Sequence, residues 1–277
     1  MARRRRADPG ESAGRAGGGW FAPATPRILA HRGLALEVPE NTIAAFEKAI
    51  SAGAAYIETD VNATADGIAV AVHDPTLDRV AGRSDRIADL TLAELREVDL
   101  GGGGRFATLA EVLSAHPETR FNIDIKAEDA AAPAAAAILA AGALDRVLIT
   151  SFSTKRRRAT VDLLEQRPLG SRISEKQVAA SASAREFVPA LLAAKIGLVP
   201  LARLLLRHVD AVQIPQRIWR IRTTTPRTVR RLHAAGVEVH VWTINDPDEA
   251  RHLLENGADG IVTDRVDLML ELVRTPP

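Results

Sequence analysis

Cysteine occurs nowhere in the 277 residues. Disulfides, thiolate-held zinc and iron–sulfur clusters are therefore excluded, and the absence fits a reducing compartment. Charge of one sign is missing too: 36 Lys and Arg stand against 35 Asp and Glu, so no global field argues for a nucleic-acid partner. Arginines at residues 3–6 are followed by a polar, glycine-rich stretch instead of the apolar one that a signal peptide requires. A cytoplasmic location is the expectation. Residues 1–26 hold too few apolar side chains to repay ordering of the chain, and they read as a disordered basic and glycine-rich tail. Residues 27–277 then form one domain.

Also lacking is an uninterrupted apolar run long enough to span a bilayer. Residues 187–206 come nearest, but Pro189, Gly197 and Pro200 interrupt them, and Lys195 and Arg203 are costly in lipid. They read as a buried pair of crossover helices in preference to a lid facing lipid, so membrane contact is not favoured. The four glycines at 101–104 lack the following Lys-Ser/Thr of a phosphate-binding loop and read as a flexible connection.

What the chain does have is alternation. Strand-like runs lie near residues 28–31, 55–61, 121–126, 146–151, 169–173, 210–215, 237–243 and 260–264, with helical patterns between them at 42–52, 130–141, 154–166, 226–235 and 247–256 and a last one at 266–273. Eight strand–helix units in one chain point to an α/β fold, a closed (β/α)8 TIM-type barrel. A ninth strand, 68–73, follows the second after only a few residues. That connection is too short for a parallel crossover, and Asp66-Gly67 suits a hairpin turn. This strand is expected to fold back antiparallel, as an excursion carrying His73 over the barrel mouth.

Short polar clusters sit in these otherwise apolar strands: AHRG at 30–33, ETD at 58–60, HD at 73–74 and DIK at 124–126. Side chains alternate along a strand, so Glu58 and Asp60 share one face, as do Asn122, Asp124 and Lys126. The apolar set of a barrel faces its helices, which leaves these polar groups inside, at strand C-termini where such barrels carry their chemistry. Three carboxylates in one mouth raise each other's pKa values unless a cation sits among them. Oxygen-only ligation favours Mg²⁺, Ca²⁺ or Mn²⁺; the alternative is an ion-pair network with Arg32 and Lys126 as counterions. His31 and His73 flank the cluster, and histidine is the side chain whose ordinary titration range suits proton transfer to an attacking or leaving oxygen. Glu40 or Asn41 is placed to orient His31. Trp242 faces inward at a strand end, as a plug or as a wall for part of a substrate. His240 shares its face and lines the barrel deeper down.

AHRG followed by PENTIAAF, IETDVNATADGIAVAVHD, FNIDIK, SF, VWTIND and GADGIVTDRVDLM resembles the glycerophosphodiester phosphodiesterase family, one of the barrel-shaped phospholipase C-like phosphodiesterases, over residues 27–273. The resemblance implies His31 and His73 as the acid/base pair, and Glu58, Asp60 and Asp124 as ligands of a divalent cation. It also implies a small glycerophosphodiester substrate cleaved to sn-glycerol 3-phosphate and an alcohol. Many family members are similar but carry glutamate where this chain has Asp124; spider-venom-type lipid phosphodiesterases look similar with aspartate there. Arg32 and Lys126 would offset the phosphate charge, and Trp242 would wall the alcohol. The attacker is either water or a neighbouring substrate hydroxyl. Two rivals stand beside this reading: a lysophospholipase D-like activity on lipids that retain an acyl chain, motivated by residues 187–206, and a non-catalytic phosphate-binding barrel.

Overall fold

A computed structural model describes residues 19–165, 178–218 and 221–274. The chain enters along β1 (Arg27–His31), turns through α1 (Ile43–Ser51) and returns on β2 (Tyr56–Ala63), which folds back into the short β3 (Ala69–Ala71). Three small helices, α2 (Asp78–Ala81), α3 (Leu92–Arg96) and α4 (Leu109–Ala115), lead to β4 (Arg120–Ile125). Next come α5 (Ala131–Ala140), β5 (Val147–Thr150), α6 (Thr154–Glu165) and β6 (Ala179–Ala180). Two successive helices, α7 (Ala184–Ile196) and α8 (Val199–Leu206), precede β7 (Ala211–Pro215). A two-stranded hairpin of β8 (Arg217–Ile218) and β9 (Ile221–Arg222) is followed by α9 (Pro226–Ala235), β10 (Glu238–Trp242), α10 (Pro247–Glu255), β11 (Gly260–Thr263) and α11 (Val266–Arg274).

Eight strands pair in parallel in the order β6-β5-β4-β2-β1-β11-β10-β7, and a parallel bridge between Ser181 and Ala211 joins the two ends. This is the expected (β/α)8 barrel. The excursion also matches: β3 pairs antiparallel with β2, Val61 opposite Ala71. Helix starts follow local chemistry. Thr42 accepts from Ala45 N, Thr91 and Thr108 each form a reciprocal box with the glutamate three residues on, and Pro226 and Pro247 open their helices behind Thr225 and Asp246.

Three expectations change. The strand foreseen at 169–173 falls outside the described residues, and the barrel strand after α6 is β6. Of the expected tail, residues 1–18 also lie outside them, but from Gly19 on the chain belongs to the fold. Trp20 is buried against Tyr56, Phe21 and His240 at ring-centroid distances of 4.9, 4.9 and 5.6 Å, closing the N-terminal end of the barrel. Arg27 ties this floor together. Its guanidinium donates to Tyr56 Oη (2.7 Å), to the carbonyls of Phe21 and Pro23, and to both oxygens of Glu238.

The third change concerns α7 and α8. Phe187, Leu191, Ala194, Ala202 and Leu206 pack inward as expected of a crossover. Their outer faces are apolar as well, with Leu192 54 % and Leu198 48 % exposed. The expectation of a wholly buried pair is therefore wrong: apolar residues occupy both sides, so hydrophobicity alone did not say which side meets solvent. Among the described residues no helix is long and apolar enough to cross a membrane.

Candidate active site

His31 ends β1 where the chain must turn sharply beneath α1. Arg32 takes a left-handed conformation (φ +56°) and Gly33 follows at φ +87°. A Cβ on Gly33 would lie 2.6 Å from the Ala45 backbone, so only glycine lets the turn tuck under the helix. The positive φ of Arg32 is costly for a long side chain with a Cβ. It is held by its own amide, which donates to the carbonyl of Glu58 at 3.0 Å and to Glu58 Oε2 at 3.2 Å.

A cavity of about 410 Å³ opens at the C-terminal ends of the strands, a size suited to a small ligand. The eight residues given a catalytic, cation-binding or substrate-binding role from the sequence all line it: His31, Arg32, Glu58, Asp60, His73, Asp124, Lys126 and Trp242. Asn122, Gln213, Phe152 and the first turn of α7 complete the wall. The Phe152 ring meets Trp242 edge-on at 5.9 Å, so one side of the cavity is aromatic and the other charged. Phe152 stands in the SF dipeptide after β5, and without the fold nothing marked it as a partner of Trp242.

Each histidine is held by an aspartate. His31 Nδ1 is 2.6 Å from Asp264 Oδ1, and Asn245 Nδ2 donates to the other oxygen of Asp264 at 2.8 Å. His73 Nδ1 is 2.7 Å from Asp74 Oδ1, and Arg79 Nε donates to Asp74 Oδ2. An ionised carboxylate only accepts, so in each pair Nδ1 carries the proton. That leaves Nε2 as the nitrogen free for a bound molecule; in His31 it lies 3.9 Å from Glu58 Oε2. Burial would lower the His31 pKa, but the Asp264 hydrogen bond and the Glu58 charge together raise it.

Neither residue expected to orient His31 does so. Glu40 instead pairs with Arg32 Nη1 (2.9 Å) and Arg79 Nη2 (2.6 Å). Asn41 braces Asp60: its amide donates to Asp60 Oδ2 at 3.1 Å, while its Oδ1 accepts from Thr59 Oγ1 at 2.8 Å. His240 lies below the cavity, fully buried, with Nδ1 3.4 Å from Gln213 Nε2 and Nε2 3.1 Å from Glu238 Oε2.

The carboxylates are drawn to the two cations. Lys126 Nζ bridges Asp60 Oδ1 (2.8 Å) and Asp124 Oδ2 (2.7 Å), and Arg32 Nε stands 2.9 Å from Asp60 Oδ2 as an ion pair without hydrogen-bond geometry. Burial opposes the Asp60 charge, but Lys126 and Arg32 outweigh it and hold its pKa low. Asp124 goes the other way, because burial and neighbouring Asp60 exceed what the shared lysine returns. Glu58, buried and beside Asp60, is pushed up to about 8.

Among the described residues no three such groups form a closed ligand cluster, and the ion-pair alternative describes the contacts of Asp60 and Asp124. The donor set nevertheless fits a hard divalent cation. It is all oxygen, Asp124 Oδ1 is buried with no partner, and Glu58 sits in an excess of negative charge that an added cation would offset.

The model of the glycerophosphoryl diester phosphodiesterase family matches residues 31–268. The probable glycerophosphodiester phosphodiesterase 2 of Mycobacterium tuberculosis is 40% identical over 246 residues, covering 88% of this chain and 89% of the relative. A glycerophosphodiester phosphodiesterase of Caldanaerobacter subterraneus is 30% identical over 89% of this chain and 97% of its own length. Among solved structures, an Oleispira antarctica phosphodiesterase in complex with the product sn-glycerol-3-phosphate superposes with a TM-score of 0.74 at 23% identity, over 91% of this chain and 98% of that one. The Thermotoga maritima glycerophosphodiester phosphodiesterase gives a TM-score of 0.65 at 28% identity, over 88% and 97%.

Proposed function

The chain belongs to the glycerophosphoryl diester phosphodiesterase family, and from that premise we propose that it hydrolyses glycerophosphodiesters to sn-glycerol 3-phosphate and an alcohol, with His31 and His73 as the proton-transfer pair. Membership makes it an enzyme, a phosphodiester hydrolase, and sets aside the non-catalytic barrel. The observation that carries the finer reading is the repeated imidazole–aspartate pair on one cavity. Nδ1 of each ring is tied at 2.6 or 2.7 Å, which fixes tautomer and ring plane. One ring, neutral, takes the proton of the attacking oxygen at Nε2, and the other, entering the step as the imidazolium with both nitrogens protonated, gives its Nε2 proton to the leaving alcohol.

Glu58, Asp60 and Asp124 would hold a divalent cation, Mg²⁺, Ca²⁺ or Mn²⁺. Bound there, the cation offsets the charge that builds on the phosphoryl oxygens. Arg32 and Lys126 add positive charge from the same side of the cavity, and Trp242 with Phe152 encloses the alcohol portion. A second reading, cleavage of lipids that keep one acyl chain, is favoured by the exposed Phe152, 60 % accessible at the cavity wall.

The test is release of glycerol 3-phosphate from glycerophosphocholine before and after EDTA. Release that EDTA abolishes and Mg²⁺, Ca²⁺ or Mn²⁺ restores is expected. Undiminished turnover by protein shown to be metal-free would overturn the cation; no release from any glycerophosphodiester would overturn the substrate.

A further inference from the structure

Among the described residues ten large apolar side chains are prominently exposed, and six of them lie on α7, on α8 or in the turn between them: Val188, Leu192, Ile196, Leu198, Leu201 and Leu204. On α7 the first three follow at four-residue spacing, so they form a single stripe, and Ile196 is 73 % exposed. At its upper end the stripe reaches the active-site cavity, because Val188 lines that cavity together with Phe152. An apolar surface of this kind, concentrated on one quadrant and continuous with a ligand site, marks an interaction surface.

Charge says what covers it. The whole chain is balanced, yet residues 187–237 carry nine Lys and Arg and a single acidic residue, Asp210. Arg203, Arg207, Arg217, Arg222, Arg227 and Arg230 are exposed. The polar contacts that Arg203 and Arg207 make are to backbone carbonyls, of Ala234 and Leu204, and among the described residues none of the six is paired with a carboxylate. A second copy of this chain would bring this quadrant's cations against one another. An anionic bilayer surface offers what both parts need, an acyl boundary for the leucines and phosphate groups for the arginines.

We propose that α7, α8 and the arginine face of α9 form an interfacial surface by which the protein docks on anionic membranes, with the cavity mouth at the edge of the contact. The surface is independent of the catalytic reading, since none of the residues that carry the charge lines the cavity. Co-sedimentation with vesicles of equal parts phosphatidylglycerol and phosphatidylcholine, against phosphatidylcholine alone, tests it.

The wild type should bind the anionic vesicles only, and binding should fall at least ~10-fold when ionic strength is raised to about 0.5 M. The double variants Leu192→Ser/Ile196→Ser and Arg227→Glu/Arg230→Glu should each weaken it ~10-fold or more. Because all four side chains are exposed, melting temperature and turnover of glycerophosphocholine should stay at wild-type values. Three results would overturn the proposal: no vesicle binding by the wild type, equal binding by the variants, or a wild-type dimer in sedimentation velocity that Leu192→Ser/Ile196→Ser dissociates.

Discussion

His31 Nδ1 meets Asp264 Oδ1 at 2.6 Å, a contact between the end of the first barrel strand and the residue just past the last. Barrel closure creates it, since β1 and β11 are parallel neighbours with Ala30 opposite Thr263. Asp264 is thus a positioning residue for the proposed acid/base histidine.

Asp264→Asn keeps the shape and removes the charge that selects the Nδ1–H tautomer. Turnover should fall roughly 10- to 100-fold, less than the ~10²-fold or more expected for His31→Ala. KM should change little and the melting temperature only slightly, the Asp264 side chain being about half exposed. Steady-state kinetics decide; wild-type kcat in Asp264→Asn would leave the contact without a role in turnover.

A second expectation follows from Glu58, which desolvation and the neighbouring Asp60 push up to about 8. Below that value the group is mostly neutral, whereas a cation ligand must be ionised. Binding of Ca²⁺ or Mn²⁺ near pH 7 should therefore release close to one proton. Affinity should rise by up to about tenfold per pH unit until about pH 8 and then level off. Titration calorimetry in two buffers of different ionisation enthalpy counts the protons, and Glu58→Gln should abolish the release. A count of zero in the wild type would remove Glu58 from the ligand set.

Asp124 allows a sharper comparison. Its Oδ2 accepts from Lys126 at 2.7 Å while Oδ1 is buried without a partner. Asp124→Asn should weaken cation binding and activity together, by about 10-fold or more, as one anionic donor is lost. Asp124→Glu should keep substantial activity, since the charge remains and the cavity is open above it. Unchanged cation affinity in the Asn variant, measured directly, would assign Asp124 to a structural ion pair with Lys126 alone.

Much of this site was legible because strand alternation is a strict rule. Once Glu58 and Asp60 face the barrel interior, register brings Asp124 beside Asp60, as the pairing of β2 with β4 shows. Asp264 was legible in principle by the same rule. It shares a face with Val262, and the last strand of a closed barrel must adjoin the first. What the sequence withheld was anything decided by solvent access. Trp20 follows three glycines and was read as tail, yet its ring is buried against Tyr56 and His240 at the barrel floor. The leucines of α7 and α8 were read as core because nothing local distinguishes an apolar side chain that is buried from one that is not.

The barrel floor carries the last expectation, one of stability. Burial alone would raise the pKa of Glu238, but the hydrogen bonds from Arg27, and next the contact with His240, outweigh it and hold it down to about 2. The unfolded chain binds its proton near the ordinary value of about 4.3. The Glu238 contribution, on the order of 2–3 kcal/mol, is therefore fully present above about pH 5 and declines as pH falls toward 2, because the unfolded state is protonated first. Glu238→Gln should be destabilised by a comparable amount near pH 7, with Arg27 left buried beside a neutral amide. The gap between wild type and variant should narrow by roughly half near pH 3, since only the wild type loses the term. Urea unfolding of both proteins across that range measures the gap. A gap that stays constant from pH 6 to pH 3 would mean that Glu238 is not the acid-sensitive anchor of the floor.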